Sequence, residues 1–441
     1  MPELPEVERE RRRLERLAKG KRIARVETKE DTIVFSGTTH AAFATALEGK
    51  TVKEVKRLGK NFYLLLDGGN TVPVFHFGMS GMAYIRGEAT SAYRVKGKKK
   101  QPGEGKDEEE WPPKYVKACI SFEDPATAET VGEWAFCDAR RLGRIKVFEV
   151  EEGKSVEDVP PLSELGADPL LDMPSVEVLR AALSARKAPI KAVLLDQNGP
   201  LCGIGNYMVD EILFQSAIHP SHPASDLSAL PASPTALTTR ALQNPSEDAL
   251  KTLHANVLYV TTTAVDADAD AERFPASWLF KLRWSKGKKK DKSEIELPDG
   301  STAQITFVTV GGRTSAVVEA LQVLPEEFAK KIREKEGAKG KGKSPAKGRG
   351  KAKGKGKKKA SDSDEEEDER EAEAKELDEE EEKEKKPTTS PHFKRTRVSQ
   401  SRSYKEPDSG EESALTELSE SEEEKPAKKR AKRAKAKKED D

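Results

Sequence analysis

Leu201-Cys202-Gly203-Ile204-Gly205-Asn206-Tyr207-Met208-Val209-Asp210-Glu211-Ile212-Leu213-Phe214-Gln215 sets a glycine turn directly before an amphipathic helix. Asn206 is a good N-cap for that helix. Backbone N–H groups in a first turn, together with the helix dipole, favour an anion at this point. An ordinary capped helix has the same pattern, so the turn gains meaning only from the rest of the chain.

Working outward, Pro174 to Ala185 and Pro189 to Gln197 read as helices, the second with Pro at its first turn. Two more helices are expected between Asp226 and Ala264. Strand character returns from Ser293 to Gln322. Ile295 and Leu297 precede a Pro298-Asp299-Gly300 turn, Thr302 to Val310 runs into Gly311-Gly312, and Thr314 to Val318 leads away. Gly-Gly is a hairpin signal, so Arg313 belongs at the tip or just past it.

Before about Pro160 the chain is a series of short strands. Phe62 to Leu66 is a continuous apolar run, and Thr71 to Phe77 is another. Val116, Ala118, Ile120 and Phe122 alternate onto one face, as do Trp134 and Phe136; Ile145, Val147 and Val150 mark a further strand. Strands at this spacing predict a β-sandwich or barrel. KGKKKQPGEGKDEEEWPP, residues 96–113, reads as a flexible insertion. Val7 to Ala18 predicts an amphipathic surface helix with Val7, Leu14, Leu17 and Ala18 on its apolar stripe.

Ahead of that helix stands Met1-Pro2-Glu3-Leu4-Pro5-Glu6. If Met1 is removed, Pro2 presents a secondary amine. An α-amino group has a pKa of about 7.7–8.0, against about 10.4 for lysine, so much of it is nucleophilic near neutrality. Its attack on an aldehydic carbon gives an iminium that cannot lose its charge by deprotonation at nitrogen, which makes it an electron sink. Glu3 beside it can move a proton. The same residues also fit an ordinary translational start at a disordered tip.

The totals agree with a folded part and a solvated part. Of 441 residues, 78 are Lys or Arg and 78 are Asp or Glu, so the formal charge of zero conceals blocks of each sign. Residues 337–360 are rich in Lys and Gly, 361–386 are acidic, and 426–438 are basic. Such blocks bury too little apolar surface to fold. The tail from 331 to 441 is therefore expected to be disordered, with a nuclear-localisation or nucleic-acid-binding signal at 426–438. Cys119, Cys137 and Cys202 are too few and too scattered for a four-cysteine zinc site or a disulfide framework. No apolar run would span a membrane, and no signal peptide is visible.

Other features bear on binding. Lys60, before the Phe62 strand, can hold a phosphate, although a solvated edge lysine would look alike. Cys137-Asp138-Ala139-Arg140-Arg141-Leu142-Gly143-Arg144 is an arginine-rich turn suited to phosphates or to insertion into a duplex. His76-Phe77-Gly78-Met79-Ser80-Gly81-Met82 presents Met79 on a glycine-flanked loop.

PELPEVE at the start, HFGMSG at 76–81, DARRLG at 138–143 and GIGNYMVDEILFQSAIHP at 203–220, in this order, resemble the formamidopyrimidine-DNA glycosylase/endonuclease VIII family of base-excision repair. The resemblance covers most of residues 2–322. It implies an α+β clamp: an N-terminal β-sandwich domain over 1–155, a helix–two-turn–helix domain over 156–330, and a β-hairpin finger near 293–322. It also implies a bifunctional glycosylase/AP lyase for oxidised purines, acting through a Schiff base on Pro2 on damaged double-stranded DNA, as a monomer in the nucleus, with no metal and no organic cofactor. Residue by residue, Pro2 would attack C1′, Glu3 would shuttle protons, Glu6 would organise the site, and Lys60 would bind flanking phosphates and assist the chemistry. Met79 and Arg140 would fill the space left by the flipped base. Arg141, Lys191, Asn206, Glu211 and Arg313 join the DNA-binding set, with Asn206 and Arg313 on backbone phosphates.

The departures are also informative. The bacterial enzymes end in a four-cysteine zinc finger, and no cysteine follows Cys202, so the hairpin resembles the zincless finger of the plant and fungal branch. Leu142 stands where the family often has an intercalating Phe. A family histidine before the Val116 strand is replaced by Lys114 or Tyr115. No glycine-rich loop like the one that caps 8-oxoguanine is seen, which favours formamidopyrimidines and hydantoins. A non-catalytic DNA- or chromatin-binding protein is the alternative, and RNA binding a third reading that leaves the N-terminal string unused. The charged tail would tether DNA or dock protein partners.

Overall fold

The computed structural model describes residues 2–88, 111–229, 249–283, 294–297 and 300–340. All of them belong to one compact unit, Met1–Lys358. Most of the 96–113 insertion and the tail beyond 340 lie outside the described residues.

The first half is a sandwich of two four-stranded antiparallel sheets. The strands are β1 (Arg22–Thr28), β2 (Val52–Leu58), β3 (Asn61–Leu66), β4 (Thr71–His76), β5 (Gly81–Ile85), β6 (Val116–Glu123), β7 (Thr130–Asp138) and β8 (Arg144–Glu149). One sheet runs β1-β6-β7-β5 and the other β2-β3-β4-β8. The inner faces meet in an aromatic core: the Phe75 ring lies edge-on to Trp134 at 5.3 Å, and Phe62 and Phe75 stack at 5.1 Å. Ala118, Ile120 and Phe122 of β6 enter this core as their alternation predicts, whereas Val116, beyond a bulge, packs on the other face with Cys119, Ala135 and Cys137. β1 and β5 escape sequence reading for identifiable reasons. β1 carries a bulge between Ile23 and Arg25, which breaks its period of two. β5 buries Gly81, Ala83 and Ile85, and its two small residues hide the alternation.

The first helix, α1 (Leu4–Ala18), starts earlier than predicted and is not a surface helix. Its apolar side packs into the sandwich through Val7 and Leu14, while Leu4 at its start enters the core of the second half. Its charged side is buried as well, at Glu8, Arg9, Glu10 and Arg13. These charges are paired: Arg13 and Arg9 reach Glu10 at 2.9 and 3.0 Å, and Arg57 of β2 reaches Glu8 at 3.0 Å. A second short helix, α2 (His40–Leu47), closes one end of the sandwich with Phe43 and Leu47.

In the second half, α3 (Val176–Ser184), α4 (Ile190–Leu195), α5 (Asn206–Gln215) and α6 (Ala249–Asp266) surround Leu183, Ile190, Met208, Ile212, Val257 and Trp278. Pro189 is the N-cap of α4 rather than a first-turn residue. Between Asp226 and Ala264 the described residues hold the end of a 3-10 segment, Ala224–Ala229, and then α6; residues 230–248 lie outside them. The final sheet, β11 (Arg313–Val318), β10 (Thr302–Val310) and β9 (Glu294–Glu296), seats Ile305, Ala316 and Val318 against Phe214 and Leu279. Arg313 is the first residue after the Gly311-Gly312 turn, where the hairpin reading put it. Structure does not stop at 330. α7 (Glu326–Gly340) crosses the expected boundary, and its Phe328 ring lies 5.2 Å from the His222 ring.

A buried ion pair joins the halves. The Arg57 guanidinium holds both carboxylate oxygens of Asp168, and Asp168 Oδ2 also accepts the Gly59 N–H at 2.8 Å. Both side chains are almost fully buried. Removing one partner leaves the other charge unpaired in a low dielectric, a loss of about 3–5 kcal/mol. Asp168→Ala is therefore expected to lower the unfolding free energy by about that amount in urea titration.

Candidate active site

The N-terminus of α5 supplies N–H groups that need acceptors. The sequence predicts Asn206 as its cap. The structure instead places Gly205 at the N-cap, and Asn206 is the first helical residue. The cap comes from the other end of the chain. Glu3 Oε1 accepts the Tyr207 N–H at 2.9 Å, and Glu3 Oε2 accepts the Met208 N–H at 3.1 Å. The anion predicted for this turn is a side chain of the protein itself.

The glycines make that approach feasible. A Cβ on Gly205 would lie 2.1 Å from Glu3 Cδ. Gly203 has φ +83°, and a Cβ there would meet Leu4 Cδ1 at 2.6 Å. The Leu4 N–H donates to Gly203 O at 3.1 Å. Gln197, which carries no sequence signal, braces the turn by accepting from Gly203 N at 2.9 Å and donating to Ile204 O at 3.0 Å.

Around Glu3 lies a buried acid cluster. The Glu3 N–H donates to Glu6 Oε2 at 2.9 Å, and the Tyr207 hydroxyl donates to Glu6 Oε1 at 3.0 Å. The Tyr207 ring is fixed edge-on to Phe280 at 4.9 Å. Burial raises the Glu3 pKa; Lys60 and the two α5 N–H groups oppose that rise. Burial and the neighbouring Glu3 raise Glu6 to about 7. Lys60, on the β2–β3 turn, donates to Ile204 O at 2.9 Å. Its pKa is lowered, first by burial and then by the Arg313 guanidinium, while Glu3 works the other way. Pro2 is buried next to this cluster in the chain. An amine position, a carboxyl with a raised pKa and a lysine with a lowered one suit nucleophilic attack with proton transfer.

Two turns project elsewhere. A Cβ on Gly78 would sit 2.2 Å from Leu142 O, so the Met79 and Arg140–Leu142 turns are pressed together. Asp138 binds both, accepting from Ser80 Oγ and Gly143 N at 2.6 Å and from Arg140 N at 3.1 Å. Met79 is 42% exposed and Leu142 36%, a large amount for apolar side chains on a shared tip.

Two domain models match this chain: the formamidopyrimidine-DNA glycosylase N-terminal domain over residues 1–145 and its H2TH domain over 165–241. The formamidopyrimidine-DNA glycosylase of Arabidopsis thaliana is 37% identical over 339 residues, which is 77% of this chain and 75% of that protein. The chain belongs to the formamidopyrimidine-DNA glycosylase family. The Methylorubrum extorquens member is 30% identical over 336 residues, covering 74% of this chain and 99% of that one. The fold is shared with the Lactococcus lactis enzyme, solved bound non-covalently to AP-site-containing DNA, with a TM-score of 0.52 over 73% of this chain and all of that one at 22% identity.

Within this glycosylase-family frame, Pro2, Glu3, Glu6, Lys60, Asn206 and Arg313 are brought to one region. Asn206 Nδ2 donates to Thr314 O at 3.2 Å, next to Arg313. Three residues predicted to contact DNA have their side chains engaged within the protein. Lys191 is fully buried and donates to Asp210 at 2.9 Å, Thr314 O at 3.1 Å and Ser315 Oγ at 2.6 Å, so it clamps the hairpin to α5. Glu211 is fully buried and accepts from Gln215 at 2.7 Å and the Phe280 N–H at 3.1 Å; burial raises it to about 8. Arg141 is exposed, but its guanidinium grips Asp31 through contacts of 3.0–3.1 Å, whereas Arg140 is exposed with only its backbone engaged by Asp138. Among the described residues, no cluster of three His, Cys, Asp or Glu could hold a metal.

Unfolded, Glu6 ionises near 4.5; folded, near 7. Between those values the unfolded chain has lost a proton that the folded chain keeps, so stability falls as pH rises, by about 3 kcal/mol over the window. Glu6→Gln can still bond both Glu3 and Tyr207. Its melting temperature should therefore fall less than the wild type's between pH 5 and pH 7.5 in calorimetry.

Proposed function

We propose that the protein is a bifunctional DNA glycosylase/AP lyase acting on oxidised purines in duplex DNA. The observation that carries this reading is the Glu3 carboxyl, buried at the N-terminus of α5, with Lys60 acting on it and Pro2 beside it in the chain.

In this reading, removal of Met1 frees the Pro2 amine, which attacks C1′ as the bond to the damaged base breaks. Glu3 delivers a proton to the sugar ring oxygen, a role toward which burial shifts it by raising its pKa. The ring opens to an iminium, which withdraws electrons as a C2′ proton leaves and the 3′ phosphate is expelled. A second elimination would release the 5′ phosphate. Arg313 lies close enough to depress the proton affinity of Lys60, and a phosphate seated between them would offset that repulsion. Met79 and Arg140 at the shared tip fill the gap left by the extruded nucleotide. Leu142 in the intercalating position favours weak stacking on the opposite base. Formamidopyrimidines and hydantoins are the favoured lesions. The basic segment 426–438 is assigned to nuclear import, and the charged tail to partner docking and DNA tethering. The enzyme acts as a monomer.

Borohydride should trap the mature protein covalently on lesion-bearing duplex. Pro2→Gly should lose most of that adduct, and Glu3→Gln should slow single-turnover base release by about 10²–10⁴-fold. Base release at the wild-type rate by both variants, or no adduct with wild type, would sink the mechanism. Intact Met1 in the purified protein, seen by mass spectrometry, would favour the non-catalytic binder.

A further inference from the structure

Where the outer face of the β2-β3-β4-β8 sheet meets the linker to the second half, the surface forms a groove of about 190 Å³. Val74, Phe148, Pro161 and Leu162 make its apolar part, and Asn61, His76, Arg144 and Lys146 its polar part. No carboxylate lines it. It begins next to Lys60, since Asn61 is the following residue and Lys60 acts electrostatically on His76.

The cations here lack counter-charges. Arg144 Nη1 donates only to backbone carbonyls, of Arg141 at 3.1 Å and Gly143 at 2.8 Å. Among the described residues, neither Arg144 nor Lys146 has a carboxylate within salt-bridge distance. By contrast, Arg57, Arg141, Lys117 and Lys191 are all paired. His76 records the resulting field. Its pKa is lowered to about 4 by burial and by Lys60, Arg144 and Lys146, and no carboxylate counters them. The Gly78 N–H donates to His76 Nδ1 at 3.1 Å, so the neutral ring keeps its proton on Nε2.

Arg144 and Lys146 are two residues apart on one strand and line the same groove. Their spacing along β8 is about 6.8 Å, comparable with the separation of neighbouring phosphates on one DNA strand. We infer that Arg144 and Lys146 form a phosphate track that continues from Lys60, holding two further phosphodiesters of the DNA strand. The inference rests on the reading of the protein as a DNA enzyme, and it concerns grip rather than chemistry.

The test uses full-length protein and a duplex containing a tetrahydrofuran abasic-site analogue. Anisotropy titrations between about 50 and 200 mM salt give the slope of log K against log salt, which changes by about 0.9 per phosphate contact. Arg144→Gln/Lys146→Gln should flatten the slope by nearly two relative to wild type and weaken binding most at low salt. At subsaturating enzyme its base release should fall in step with the lost affinity. The charge-preserving Arg144→Lys/Lys146→Arg swap should retain the wild-type slope. An unchanged slope in the Gln variant, or a swap that loses as much as the Gln variant, overturns the track. Base release is read separately from binding. A wild type that binds but releases no base therefore defeats the glycosylase reading while leaving the slope comparison valid.

Discussion

The two hydrogen bonds from the Tyr207 and Met208 N–H groups to the Glu3 carboxylate determine how the rest of the site is arranged. A helix start buried without acceptors would be costly, and a carboxylate buried without donors would be costlier. Here each satisfies the other across two hundred positions of sequence. Gly205 must lack a side chain because Glu3 occupies that space, and Gly203 must turn with positive φ because Leu4 lies against it. Tyr207 in turn presents its hydroxyl to Glu6.

Buried charge pairs hold the pieces that meet there. Arg57 with Glu8 and Asp168 fixes the β2–β3 turn that carries Lys60. Lys191 and Arg283 share Asp210, each at 2.8–2.9 Å, and Lys191 also binds the strand that starts at Arg313. Replacing such pairs with apolar side chains often leaves stability unchanged or higher. Their value in this chain lies in direction: they aim Lys60 and Arg313 at one place. The exposed tip is organised in the same way, with Asp138 binding both turns and Asp31 anchoring Arg141.

Much of this was legible in the sequence. The buried strands announced themselves through Phe62–Leu66 and the Val116–Phe122 alternation, and Gly311-Gly312 placed Arg313. Motif order brought Pro2, Glu3, Lys60 and Asn206 together before any coordinates did. What sequence could not convey was which charges are inside. Glu8, Arg9, Glu10 and Arg13 look like a solvated helix face, because local periodicity does not reveal that a helix is enclosed on both sides. Lys191 and Glu211 enter the DNA-binding set through the family resemblance, which does not reveal that both are buried. Burial depends on what packs from afar, and Asp210 and Phe280 are identified as their partners only by the fold. The nearest suitable cap for α5 in the sequence is Asn206, whereas the acceptor in the fold is Glu3.

The separation between Glu3 and Tyr207 also bears on how the molecule is made. The N-terminal strings leave the ribosome first, yet the acceptor–donor contacts that order them await α5, and the clamp on Lys191 awaits residues near 315. Domains generally fold as units during synthesis, N-terminal first. In this chain the sandwich can gather its aromatic core early, while its first residues stay unplaced until the second half arrives. The Glu3 carboxyl would thus lack its two α5 donors for most of translation, and its surroundings would be completed only with the rest of the fold.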